Sequence, residues 1–397
     1  MKISVFPDPR RWAESSSFSF APLTTIETHP FTAGDEIRWL PGPIQGALGI
    51  EQAISAQQPI RINAKDVYVI IWNWTNGTEE FNYKYFLMSS DGNLLAEPPN
   101  HDSCWLKYFP IFSSTQDNSL HFSNELLKNA QEIENSKPMI FAASSSQFGH
   151  WMADTLPILL YALDALTLPG SIFCSPFTEY QKTVCQLLCD ASKLRTATLF
   201  HPMLRDEKIR IIKFRSLDVI TSFSVRNKNQ FTRQFVKTAA ERLGIRSEPA
   251  LHKGAYLYRG NVNGIQRVNE EDKIVERLQE IGFSIFKTAR MTFEETLTQF
   301  LSPQLFINPF GSGNTHFNLT ASDSAKLIQL LPISYQQTTV EKTLGSAIYM
   351  VPRIKSTNFY LCEQLDSSST SEHSEILINN YLMQEIERVF DCQTRME

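Results

Sequence analysis

The stretch 305–318, LFINPFGSGNTHFN, carries a strand-like apolar run (Leu305, Phe306, Ile307, Phe310) that stops at Gly311-Ser312-Gly313. A helix-compatible segment with a polar start follows, with Asn314 and His316 in its first turn. A strand that ends at two glycines and turns into a helix aims several backbone N–H groups at one spot, with the helix dipole behind them. That is a site for a phosphate or diphosphate. The same G-x-G spacing also serves as a plain tight turn, and both readings stand at this point.

Two further clusters could do chemistry. In SSSQFGHWMADTLP, Gly149 and His150 open a helix and Asp154 stands one turn on, on the same face. A histidine oriented by a carboxylate can be kept basic, as a general base needs; a capping or buried structural histidine would show the same residues. Tyr258-Arg259-Gly260 ends a strand, and Arg267 follows in QRVNEEDK. Two guanidinium groups at one loop mouth could clamp a diphosphate bidentately, or pair at the surface with Glu270 or Glu271. Asn269 with Asp272 reads as a helix N-cap and first-turn acid. Glu294 and Glu295 open the helix before the glycine turn, where a carboxylate can favour the helix dipole or accept hydrogen bonds from ribose hydroxyls. No D-x-D occurs in the chain, so the usual cue for a metal-bridged sugar nucleotide is absent. Arginines and helix N–H groups would then have to stabilise a leaving diphosphate.

The elements that must position these residues come in two runs. Residues 1 to about 60, rich in Ser, Thr and Pro, suggest an irregular start. DVYVIIWNW and FNYKYFLMSSDGNLLAEP read as strands, with a hairpin turn at Ser90 to Asn93. PMIFAASSS, SIFCSP and KIRIIKF read as buried strands, with helices in GHWMADTLPILLYALDAL (kinked or broken at Pro157) and TEYQKTVCQLLCDAS between them. After a helix over 229–245 and a linker, a second alternation begins. GAYLYRG, FSIFKTA, QLFINPF and AKLIQLLP read as strands, separated by helices in NEEDKIVERLQEIG and TFEETLTQFLSP. AIYMVPRI and STNFYLCEQ look like late strands, and EILINNYLMQEIERVF a final amphipathic helix. Strand–helix–strand alternation implies parallel α/β sheets. The expectation is two Rossmann-like α/β domains facing a central cleft, with an extra β region near the N-terminus. The domains are 1–246, including a β-rich segment at 66–112, and 247–375, with helix 376–397 packing back on the first.

The 397 residues suffice for two domains. A net charge of -5 argues against a dedicated nucleic-acid binder, which shows a basic excess. The first twenty residues hold no apolar run of signal-peptide length, and nowhere is there a stretch long enough to span a membrane. The six cysteines are scattered, and Cys185 and Cys189, one helical turn apart, have no partners for a zinc set. The expectation is a cytoplasmic protein with reduced thiols and no metal, in which the sequons at Asn73, Asn76 and Asn318 are chance matches.

Taken together, the clusters over roughly 140–335 resemble the pattern of glycosyltransferase family 61. A His followed by Asp and Leu-Pro is matched by His150, Asp154, Leu156 and Pro157. An Arg, a spaced Arg and an Asn-Glu pair before a helix are matched by Arg259, Arg267, Asn269 and Glu270. A Glu before an apolar helix and a His-Gly-Ala-Gly-Leu-Thr-Asn turn are matched by Glu295, Gly311, Gly313 and Thr315. The chain departs from that pattern at Phe310, Ser312, Asn314 and His316, where the family has His, Ala, Leu and Asn, and at Thr296, where Gln is common. The resemblance implies a GT-B-like architecture and an inverting transferase that moves a sugar from a nucleotide-sugar donor, UDP-sugar foremost, to a hydroxyl of a saccharide or lipid-linked saccharide. It further implies His150 as base, oriented by Asp154, with Asp154 itself the alternative base. Arg259, Arg267 and the Gly311–Asn314 turn would hold the diphosphate, and Glu295 the ribose, with Asn269, Glu270 and His316 as further donor-binding residues. No cofactor or metal is expected, and peripheral contact with the inner membrane face fits a lipid-linked acceptor in polysaccharide or capsule synthesis. The competing readings are a non-catalytic nucleotide- or sugar-binding protein and a Rossmann-type oxidoreductase. The latter is disfavoured by the lack of a G-x-G-x-x-G followed by an acid.

Overall fold

Strand and helix alternate in both halves of the chain, and in the computed structural model they build two large sheets, one mixed and one wholly parallel, beside a two-stranded hairpin. The structure describes residues 2–6, 8–22, 38–40, 60–74, 82–95, 113–114, 120–134, 139–142, 151–156, 158–159, 171–174, 178–191, 196–199, 208–220, 236–237, 239–246, 254–262, 265–287, 291–320, 325–332, 357–363, 365 and 375–394. The chain divides into one unit of residues 1–26 and 58–223 and a second of residues 27–57 and 224–397.

In the first unit, strands Thr196–Leu199, Ser171–Cys174, Met139–Ala142 and Ile209–Ile220 lie parallel in that order. Ile209–Ile220 then pairs antiparallel with Ile60–Trp74, and Asn82–Ser89 and Asn93–Leu95 continue the antiparallel meander. The turn between the last two strands is the one read from the sequence, and Gly92 takes the left-handed conformation (φ 86°) that it needs. Ile62, Ala64, Val67, Val69 and Ile71 all join one core, although strict alternation would split them; Asp66, at φ 49°, resets the phase between Ala64 and Val67. The start of the chain is not irregular where it is described. Asp8 caps the helix Pro9–Ser15 by accepting from Arg10 N (2.8 Å), and Trp12 is fully buried with its Nε1 donating to the Asn93 carbonyl (2.9 Å). One large aromatic anchor outweighs a Ser- and Pro-rich composition. Strands Gln131–Ile133 and Thr196–Leu199 escaped the sequence reading. The segment after His150 forms a π-helical turn at Trp151–Thr155 rather than a regular α-helix, while Pro157 and the hydrophobic run beyond Leu159 lie outside the described residues.

In the second unit, strands Phe283–Phe286, Gly254–Leu257, Leu305–Pro309, Lys326–Pro332 and Thr357–Cys362 run parallel in that order. A strand read from no periodicity, Arg38–Leu40, adds to the edge beside Thr357–Cys362, so the early part of the chain contributes to this unit. One face of the sheet is covered by helices Glu271–Glu280 and Asn380–Thr394, whose Leu278, Leu382, Met383 and Ile386 share a core with Tyr256, Ile307, Ile328 and Leu330. Phe390 lies 4.6 Å from Phe283, and Arg277 binds Glu387 (2.8 Å). The final helix therefore packs on the sheet of its own unit, where its apolar stripe fits the face that Glu271–Glu280 leaves uncovered. The other face is built from phenylalanines. Helix Phe293–Leu301 brings Phe300 flat onto Phe306 (5.3 Å, 9°) and against Phe286 (5.2 Å), and Phe317 meets Phe306 edge-on.

Candidate functional site

Within the second sheet, the chain builds outward in opposite directions from Gly254–Leu257. Its next strand, Phe283–Phe286, lies on one side, and Leu305–Pro309 and all later ones lie on the other. Such a reversal leaves a crevice at the carboxyl ends of the two strands that flank it. The residues leaving those ends are Tyr258-Arg259-Gly260 and Phe310-Gly311, so topology brings two of the three sequence clusters together.

The turn after Leu305–Pro309 is built around Gly311, at φ 141° and ψ -176°, a conformation essentially restricted to glycine. A second reason for glycine is contact: a Cβ at this position would overlap Nη1 of Arg259, whose guanidinium lies directly against the bare Cα. The segment that follows, Ser312–Leu319, is an eight-residue 3-10 helix instead of the expected α-helix. Its first N–H groups have no acceptors within the helix. Beneath it Gly313 stands over Asn308, since a Cβ there would come within 3.0 Å of Asn308 Oδ1. Ser312 and Asn314 begin the 3-10 helix, but their side chains lie outside the described residues.

Arg259 is partly buried, and among the described residues its Nε has no hydrogen-bond partner. Burial lowers its pKa, partly offset by the negative charge of Glu271. A partly buried guanidinium with an under-satisfied Nε, set against a glycine-only turn, asks for an anion with several acceptor oxygens. Arg267 reaches the same neighbourhood through a small hairpin. Asn261–Val262 pairs with Ile265–Gln266, Asn261 opposite Gln266, so the chain leaves at Arg267 beside the Gly260 where it arrived. Arg267 is 7% exposed, and its carbonyl accepts from Ile376 N.

Other expected residues have local duties. Asn269 is half-buried and its N–H donates to the Ile376 carbonyl (2.9 Å). It is not the helix N-cap; that place belongs to Glu270, in the left-handed region at φ 50° with no side-chain cap and an exposed ion pair to Lys273. The buried acid is its neighbour. Glu271, 4% exposed, accepts from Tyr256 Oη (2.9 Å), Arg259 N (3.1 Å) and Gly260 N (2.8 Å). Burial pushes its carboxyl up, and the hydrogen bonds offset only part of that. The sequence offered two adjacent acids and no means of choosing between them.

Glu295 completes a capping box. Thr292 N donates to its Oε2 (2.7 Å), and Glu295 N donates to Thr292 Oγ1 (3.2 Å). Losing that cap should cost about 1 kcal/mol, so Thr292→Ala should lower the melting temperature slightly without changing nucleotide affinity. A Glu295→Ala variant that also loses affinity for a nucleoside would give this carboxylate a second role.

His316 is buried, stacked on Phe300 (5.2 Å), with Nδ1–H donating to the Gly313 carbonyl (2.9 Å). Burial lowers its pKa to about 4. Because that lies below the ordinary value, folding favours the neutral ring. Its stabilisation is complete above about pH 6.5 and is lost as pH falls toward 4, on the order of 3 kcal/mol at the acid end. Wild-type melting temperature should therefore fall more steeply between pH 6.5 and 4 than that of His316→Gln. Equal slopes would assign the acid sensitivity elsewhere.

His150 lies outside the described residues, and Asp154 falls in the π-helical turn with its side chain undescribed. Among the described residues no group of three or more His, Cys, Asp or Glu could hold a metal ion.

No curated protein matches the chain. Residues 148–325, somewhat less than half of the chain, match the family model Glycosyltransferase 61. The matched region takes in the Arg259 and Gly311 ends of the crevice, Arg267 and the phenylalanine face beneath the turn, as well as His150. Residues 148–325 are thus similar to the glycosyltransferase family 61 domain, and this match supports glycosyltransferase activity.

Proposed function

We propose that this chain is an inverting, metal-independent transferase that moves a sugar from a nucleoside-diphosphate sugar, UDP-sugar foremost, to a hydroxyl of a saccharide acceptor. The observation that carries the donor class is the Arg259 guanidinium packed on Gly311 at the sheet's switch point, with its Nε unpartnered among the described residues. A diphosphate supplies the acceptor oxygens that this arrangement lacks, and its charge lies where the 3-10 helix begins. In this reading the acceptor hydroxyl gives its proton to His150, oriented by Asp154. The hydroxyl oxygen bonds to the anomeric carbon as the carbon–oxygen bond to the diphosphate breaks, and Arg259, Arg267 and turn N–H groups hold the departing charge. Glu295 would use its remaining oxygen for the ribose. The reading extends to the GT-B class, supported by the parallel, doubly wound sheet of the second unit, and to a bacterial role in polysaccharide or capsule synthesis. A lipid-linked saccharide acceptor would bring the enzyme to the cytoplasmic face of the membrane. No helix among the described residues is long and apolar enough to cross a membrane.

The test is melting temperature against UDP, GDP, CMP and NAD, each with manganese and with EDTA. A ligand that binds only the native state raises it by mass action. A shift with UDP or GDP that EDTA leaves intact is the expected result. A shift with NAD alone, or one abolished by EDTA, would overturn the metal-independent transferase reading.

A further inference from the structure

We propose that Glu271 is the positioning residue for Arg259: its carboxylate locks the backbone from which the anion-binding guanidinium projects. The inference rests on the diphosphate reading above. Glu271 sits in the first turn of helix Glu271–Glu280, where a carboxylate ordinarily serves its own helix. Here it turns instead toward the preceding strand end. Oε1 accepts from Arg259 N and from the Tyr256 hydroxyl, and Oε2 accepts from Gly260 N. Tyr256 is 0% exposed. Gly260, at φ 61°, completes the bend that presents both amides to one carboxylate.

The arginine is thereby fixed at both ends. Glu271 accepts from its amide, and the bare Cα of Gly311 lies against its guanidinium. Burying a carboxylate carries a desolvation cost that its hydrogen bonds to two loop amides and one hydroxyl must offset. The arrangement makes sense where the position of that loop matters. Glutamine at 271 keeps the shape but carries one acceptor oxygen. Whichever way it turns, an –NH2 faces either the Gly260 or the Arg259 N–H, and the bend is released.

The experiment measures binding of UDP and of uridine to the full chain in four forms: wild type, Glu271→Gln, Arg259→Ala and the double variant. Glu271→Gln should weaken UDP about tenfold, as loss of charge-assisted hydrogen bonds does, and leave uridine unchanged. In the Arg259→Ala background the same change should have no further effect, since the carboxylate acts through that arginine. Additive losses, or an equal loss for uridine, would overturn the proposal and leave Glu271 a structural residue. If Glu271→Gln does not fold, Tyr256→Phe removes a single donor to the carboxylate. It should weaken UDP several-fold with Arg259 present and not without it, and an effect independent of Arg259 would again overturn the proposal. A wild type that binds no UDP would defeat the diphosphate reading itself, an outcome distinct from wild-type-like binding by the variants.

Discussion

Gly311→Ala should lose most of its transferase activity and melt at a markedly lower temperature. Two costs act together. At φ 141° and ψ -176° any Cβ is strained, by about 1–3 kcal/mol. The new methyl would also occupy the volume of Arg259 Nη1, so either the turn or the guanidinium must move. Both answers disturb the crevice, and a displaced charge-stabilising donor typically lowers turnover by about 10²–10³. The two costs can be separated. Adding Arg259→Ala removes the overlap and should restore part of the melting temperature, while activity stays low because the cation is gone. A Gly311→Ala enzyme with wild-type turnover would return the Gly-Ser-Gly segment to being only a tight turn.

Arg259→Ala should give a nearly normally folded protein with turnover reduced about 10²–10³-fold, equivalent to about 3–4 kcal/mol of transition-state stabilisation. Removal of a partly buried cation takes away a desolvation cost, so stability should change little or rise slightly. Arg259→Lys should recover only a small part of the activity. An ammonium keeps the charge but cannot present two parallel N–H groups to a diphosphate from the same anchor. Nucleotide binding gives the second check: affinity for UDP should fall far more than affinity for uridine. Equal losses for the two would place Arg259 against the nucleoside, and the diphosphate assignment would have to pass to Arg267.

Much of this second unit was legible because its signals are local. Strands over 254–257, 283–286, 305–309 and 326–332 are short apolar runs, and the helices between them carry apolar residues at i, i+3 and i+4. The glycine turn was legible because only glycine serves at φ 141°. The capping box at Thr292 and Glu295 could also have been read, yet the same glutamate was a candidate for ribose, and sequence alone could not rank the two uses. What escaped was set by contacts between distant residues. Arg38–Leu40 joins the sheet through hydrogen bonds to residues more than 300 positions away, and no pattern within three residues announces that. Trp12 orders the start of the chain by reaching Asn93. His316 looked like a ligand-facing residue in a polar turn; the stack on Phe300 makes it a buried neutral ring.

By itself the sequence determined the alternation of strand and helix, the glycine turn, the arginines that follow a strand, and the resemblance to a family of sugar transferases. All of these rest on the order of residues along a few turns of chain. Only the tertiary structure decided that Arg259 lies on Gly311, because strand order in a sheet is not written in any one strand. It alone chose Glu271 over Glu270 as the buried acid, since adjacent residues of one type differ only in where the backbone points them. It alone seated the last helix on the second sheet, where the apolar face left open by Glu271–Glu280 was available to cover.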